Sequence, residues 1–197
     1  ETIEVLVPEP DQYDRLSASA RYQFGARQAK GRLVLDARYT DKAYTNNRER
    51  TRPFDFDQSY ASGTFFWRVL PKSSLLLQGS YAAVAYPTDF VGQSTRDSTT
   101  NRLLAGITWE ATAKTTGSVK LGYLNKDFDA ADRPTFRAPS WEIELRYEPR
   151  TYSVIRVETS RTDREFNFGF GGDFIDTAVY GVTWEHEWSE RWSTETG

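Results

Sequence analysis

The sequence has no cysteine, no methionine, one histidine and no long apolar run. Each lack removes a class of protein. Without cysteine there is no disulfide framework, no thiolate nucleophile and no thiolate metal site. His186 stands alone between Glu185 and Glu187, so neither a Ser-His-Asp constellation nor a histidine-based metal site can be assembled from it. No stretch approaches the roughly 20 apolar residues of a membrane helix. With 38% hydrophobic residues and a mean hydropathy of −0.66, a helical membrane protein is excluded. A net charge of −3 leaves no basic footprint for nucleic acid. The expectation is no catalysis, no cofactor and no metal. One segment, Gly169-Phe170-Gly171-Gly172-Asp173 with Asp176 beyond it, has oxygen ligands. It lacks EF-hand spacing and reads as an external loop.

What is present is alternation. Leu103, Ala105, Ile107, Trp109 and Ala111 fall on one parity, and Arg102, Leu104, Gly106, Thr108 and Glu110 on the other. Strand side chains alternate between faces, so such a segment has one apolar and one polar face. The pattern recurs along all 197 residues, the length of one ordinary domain. It predicts nine strands and the start of a tenth, at 14–26, 31–44, 55–70, 74–87, 99–111, 116–128, 139–149, 152–165, 175–188 and from 192 onward. Strands of ten or so residues have the length of a tilted bilayer crossing.

The connections alternate in length. Short ones are Arg27 to Lys30, Pro71 to Ser73, Thr112 to Thr115, Pro149 to Thr151 and Ser189 to Arg191; long polar ones lie near 45–54, 88–98, 129–138 and 166–174. Outer-membrane barrels pair short periplasmic turns with longer external loops, and bacterial single-chain barrels have even strand numbers. A hairpin repeat of about 40 residues follows, a repeat of architecture rather than of a sequence motif.

Aromatics make up 15% of the residues, and they collect at both strand ends. Phe24, Trp67, Trp109, Tyr147 and Trp188 sit near the short turns; Tyr39, Tyr81, Tyr123 and Trp141 sit toward the long loops. Two aromatic belts around an aliphatic band are what the two bilayer interfaces select. The fold class read from this is all-β: an antiparallel up-and-down transmembrane β-barrel. A soluble β-sandwich, propeller or solenoid is the competing expectation. It explains the strands but neither the belts nor a charged face on strand after strand.

The first strand runs from the long-loop side toward the short-turn side, and residues from Trp192 onward begin a strand and stop. An unclosed edge leaves unpaired N–H and C=O groups in hydrocarbon. The expectation is therefore a single barrel domain over 1–197 that belongs to a larger barrel. Its signal peptide would be removed or lie outside the sequence. Closure through identical subunits is the less favoured alternative.

The polar parity is the candidate functional surface. Its expected pore-lining residues are Arg21, Arg38, Arg68, Arg102, Glu110, Lys120, Glu142, Glu144, Arg146, Arg156, Glu158 and Glu185. Arg15, Arg32, Asp36, Lys126, Glu148 and Glu187 share their parity, as do the aromatic Tyr60, Phe66 and Tyr86. Early strands are mostly basic there, and strands seven to nine mostly acidic. Opposed charged walls would set a transverse field across a watery pore. The same charges could also fill a narrow lumen with salt bridges, and both readings stand at this point.

Segments such as Leu103-Leu104-Ala105-Gly106-Ile107-Thr108-Trp109-Glu110-Ala111-Thr112, and above all Tyr180-Gly181-Val182-Thr183-Trp184-Glu185-His186-Glu187-Trp188-Ser189-Glu190-Arg191-Trp192-Ser193, resemble hairpins of the putative β-barrel porin type 2 family. That family includes EpsL-like proteins encoded with exopolysaccharide operons. The resemblance covers most of the chain in style, and members are usually about twice this length. It implies a pore in the outer membrane of a Gram-negative bacterium that takes part in polysaccharide export. It also implies outer-membrane lipid, a secreted polysaccharide and periplasmic export components as partners. A general diffusion porin and a structural or anchoring barrel are the alternatives, because one barrel architecture hosts all three.

Overall fold

A computed structural model of the chain describes residues 9–26, 28–112, 114–165 and 174–197. The described residues form one antiparallel sheet of ten strands in chain order. The strands are β1 (Tyr13–Phe24), β2 (Gly31–Tyr44), β3 (Phe56–Leu70), β4 (Ser73–Ala85), β5 (Ser98–Thr112), β6 (Thr115–Phe128), β7 (Phe136–Arg150), β8 (Ser153–Glu165), β9 (Phe174–Ser189) and β10 (Trp192–Thr196). Among the described residues each pairs only with its chain neighbours, and β1 does not meet β10. The sheet is open, as the sequence led us to expect. The first long loop is not wholly irregular: a helical turn α1 (Arg48–Thr51) runs into a 3-10 turn (Arg52–Phe54) that starts before Pro53. The glycine-rich segment around Gly169 lies outside the described residues.

Directly paired residues share a face, so the register shows each face as a series of rungs. One outer rung reads Phe24, Leu33, Phe65, Leu77, Ala105, Leu121, Trp141. The next reads Gly31, Trp67, Leu75, Ile107, Val119, Ile143. The other face has rungs such as Arg68, Ser74, Thr108, Ser118, Glu144, Glu158, Gly181. The apolar face is the exposed one: Leu103 is 58% accessible, whereas Leu104 on the charged face is 1%. In water this would be inverted. In a bilayer an exposed apolar outer face costs nothing, and lipid takes the place of a core.

The sheet curls toward its charged face, and glycine sets how tightly. A Cβ on Gly122 would lie 1.8 Å from the Leu103 carbonyl oxygen, and one on Gly106 2.0 Å from that of Val119. Both glycines face inward at the β5–β6 pair, where the neighbouring backbone leaves no room for a Cβ. Glycine kinks of this kind are how curved sheets turn a corner. The bend brings Arg102 of β5 across β6 to donate to Ser140 Oγ of β7 at 2.7 Å.

The hairpin repeat has a physical form. A bulge interrupts the register between Arg68 and Leu70, between Trp109 and Thr112, between Tyr147 and Arg150, and beside Trp192, each time on the short-turn side. Beside the girdle aromatics a backbone bond ties each turn to the preceding one. Arg68 N–H donates to the Lys30 carbonyl (2.8 Å), Glu110 to Lys72 (2.8 Å), Glu148 to Lys114 (2.7 Å) and Glu187 to Tyr152 (2.8 Å). This is a repeat of contacts at fixed places on each hairpin, with little repetition of residues.

Two substitutions test the bend. Gly122→Val should abolish the folded, heat-modifiable form in detergent, because its side chain has no space against the β5 backbone. Gly79→Ala, whose Cβ meets nothing within 4 Å, should fold as the parent does. Gel mobility with and without boiling distinguishes the two.

Candidate pore-lining surface

All twelve residues expected on the polar parity lie on the inward-curving face. Arg68, Glu144 and Glu158 share a single rung; Lys120 pairs Glu142, Arg146 pairs Arg156, and Arg21 pairs Asp36. Arg38 stands across from Tyr60. Glu110, just after a girdle tryptophan, meets Glu144, Arg156 and Glu158 around one hollow.

Within the described residues the charges are neutralised locally where basic and acidic strands meet. Glu142 of β7 is bonded by both Arg102 of β5 and Lys120 of β6. Arg156 of β8 is bonded to Glu185 of β9. Arg146 donates to Glu148 at 2.6 Å, and Arg21 lies 3.4 Å from Asp36. An apposed pair in a half-sheltered wall gains more than an exposed one, which is worth about 0–1 kcal/mol. A cavity of about 280 Å³ opens beside this seam, lined by Arg102, Glu142, Glu144, Glu158 and Thr162. The expected separation into walls is thus present as a gradient, joined at the seam by salt bridges.

Some of the network was not readable in advance. Lys126 is fully buried, and its ammonium sits 3.2 Å from Asp163 of β8, although β7 lies between their strands. Thr100 Oγ1 donates to the same carboxylate at 3.2 Å. The floor under these reaching side chains is small: Ala138 and Ser140 of β7 are both buried. Lys42, which has the parity of Arg38 and could have been found by it, sits 4.3 Å from the Tyr13 ring and 4.4 Å from the Tyr44 ring. Arg32 lies over Phe66 at 4.1 Å, and Arg96 over Tyr86 at 3.9 Å. Cations on aromatic faces therefore recur from the turn side to the loop side.

The long-loop rim is laced together. Asp55 and Asp97 each accept from the backbone N–H at the end of the preceding strand, Tyr44 at 2.8 Å and Tyr86 at 2.7 Å. Arg96 donates to the Pro53 carbonyl, and Phe54 packs on Phe90 at 5.3 Å. Ser94 donates to Asp132 at 2.7 Å, which ties the second loop to the third. Asp11 closes the belt from the N-terminal side, accepting from Asn47 at 2.8 Å and pairing with Arg50. The Asn47 hydrogen bond, the largest influence, and Arg50 hold the Asp11 carboxyl below its ordinary value, against the opposing effect of lost hydration.

On the outer face His186 stacks among Trp184, Trp188 and Tyr152, with ring centroids 5.3, 4.2 and 5.3 Å away. It belongs to the turn-side girdle. Arg161 and Asp176 are paired at the opposite rim, with Arg161 over Trp141 at 5.7 Å.

An up-and-down sheet with a girdled apolar exterior and a charged, sheltered interior is the wall of a transmembrane β-barrel. The family model for Putative beta-barrel porin 2 matches residues 5–191, and the chain belongs to that family. No curated protein matches it. Membership supports a pore, and it points to the outer membrane.

Two outcomes are expected. A carboxylate with a lowered folded-state pKa stabilises above the ordinary carboxylate range, and that stabilisation is lost as pH falls through it. The rim tie at Asp11 should therefore hold at neutral pH and loosen as pH falls below the ordinary aspartate pKa of about 3.9. Intrinsic-rate-corrected hydrogen exchange of residues 45–52 reads this, and Asp11→Asn should remove the pH dependence. Glu142→Gln leaves Arg102 and Lys120 with uncompensated charge at the seam, a loss of order 1–3 kcal/mol. In bilayer recordings of the full-length protein it should move reversal potentials toward anion selectivity; an unchanged potential would place the seam away from the ion path.

Proposed function

We propose that the protein forms an outer-membrane pore through which an exopolysaccharide leaves the cell, and that it carries out no chemistry itself. The observation that carries this is the inward face. Aromatic rings and charged groups alternate along its full height, at Arg32 and Phe66, at Arg38 and Tyr60, and at Lys42 and Phe56. A sugar chain needs both hydrogen-bonding groups and flat apolar faces in repeated supply. A pore for small ions needs only one charged constriction. The described loops support the same reading, since 45–55, 86–97 and 129–135 are bonded to one another and to the rim. A general diffusion porin would ask for a loop folded inward as a constriction. Outer-membrane lipid and periplasmic export components complete the proposed set of partners.

One observation favours a second reading. The bridges of Glu142, Glu185 and Asp163 neutralise much of the wall, as in a structural or anchoring barrel with a filled lumen. Planar-bilayer recording of the full-length protein separates the readings. The export pore should conduct, and soluble polysaccharide should block it at concentrations where mono- and disaccharides do not. Equal block by small sugars would favour the diffusion porin, and a silent bilayer the structural barrel.

A further inference from the structure

The inner face of β2 and β3 carries its cations and its rings in one axial track. Three directly paired couples stand along it: Arg32 with Phe66 near the short turns, Arg38 with Tyr60 at mid-height, and Lys42 with Phe56 at the loop end. On β2 the cations are six and four residues apart, which at about 3.3 Å per residue is roughly 20 and 13 Å along the strand. The end couples are engaged within the protein. Arg32 covers the Phe66 ring, and Lys42 donates to Tyr44 Oη at 2.8 Å and lies against two rings.

The middle couple differs. Among the described residues neither the Arg38 guanidinium nor the Tyr60 hydroxyl has a partner within hydrogen-bonding or ion-pair distance, and no cation covers the Tyr60 ring. Their rung reads Ser19, Arg38, Tyr60, Ala82, Thr100, so small side chains flank the couple on both sides. An uncovered ring beside an unpaired guanidinium, in a row of short neighbours, has the shape of a binding step. The ring offers a negatively charged face to the C–H groups of a pyranose. The guanidinium offers a planar fork to a carboxylate, sulfate or phosphate.

The charge of the whole wall agrees. Inward cations on β1 to β6 include Arg15, Arg21, Arg32, Arg38, Lys42, Arg68, Arg102, Lys120 and Lys126, against Asp36 and Glu110. The acids of β7 to β9 draw off Arg102, Lys120 and Lys126 through Glu142 and Asp163. They leave β1 to β3 cationic.

We propose that the polymer carried is an anionic polysaccharide, and that β2 and β3 form its track with Arg38 and Tyr60 as the central binding step. This rests on the export reading above and names its substrate class. The test is current block of the full-length protein in planar bilayers, with oligogalacturonate and neutral dextran of matched length as probes. The uronate should block at lower concentration than dextran, and the difference should shrink with added salt as screening sets in. Arg38→Gln should raise the blocking concentration of the uronate roughly tenfold, as expected for loss of one charge-assisted contact, and leave that of dextran nearly unchanged. Tyr60→Ala should weaken block by both polymers. Arg38→Lys, which keeps the charge, should retain most of the uronate block and control for folding. Dextran blocking as well as the uronate, or Arg38→Gln leaving the uronate block unaltered, would overturn the anionic track while leaving a polysaccharide pore intact. Absence of conductance, or conductance that neither polymer blocks, would overturn the export reading and this inference with it.

Discussion

Every backbone N–H and C=O that enters hydrocarbon must find a partner within the protein, since each orphan costs several kcal/mol there. This one requirement accounts for most of the structure. It forces long ladders in which each inner strand is bonded to both chain neighbours. It also explains where the irregular elements are. The bulges beside Trp109 and Tyr147 lie at the short turns, at the level of the girdle. Pro139 interrupts β7 only beyond Trp141, where β7 has β6 as neighbour and its pairing with β8 has not begun. The turn-to-turn bonds from Arg68, Glu110, Glu148 and Glu187 continue the same accounting below the girdle.

The second constraint is the inversion of faces. With lipid outside, the apolar residues form no core, and the interior must be assembled from polar and charged groups. Curvature then decides how those groups meet. Because Gly106 and Gly122 let β5 and β6 close tightly, side chains two strands apart come within bonding distance, as Arg102 does with Glu142. A flatter sheet with the same sequence would present two separated walls of opposite charge. Here they are joined into a seam, and β1 to β3 keep an excess of cations over acids, with Arg38 unpaired among the described residues.

The two ends of the wall are built on different principles. At the short turns, backbone bonds and aromatic side chains repeat from hairpin to hairpin. At the long loops the ties are made by particular side chains, Asp11 to Asn47 and Arg50, Asp55 and Asp97 to strand ends, Arg96 to Pro53. The first end is generic to any hairpin inserted in a bilayer. The second gives this protein its own rim, in which the loops are bonded to one another and to the strand ends.

The sequence alone determined the strands, their order, their faces and the girdles, because a period of two is written locally and any antiparallel neighbour must respect it. It placed Arg38, Tyr60 and Glu142 on one face for the same reason. It also foretold a sheet that does not close on itself. What it could not determine were relations that cross a strand. Nothing in the chain between Lys126 and Asp163, or between Arg102 and Glu142, says that they meet, since that depends on how sharply the intervening strands fold. Nor could it show that Arg38 is left unpaired while its counterparts are engaged. Those outcomes belong to curvature, which here is set by two glycines whose missing Cβ atoms allow one backbone to lie against the next.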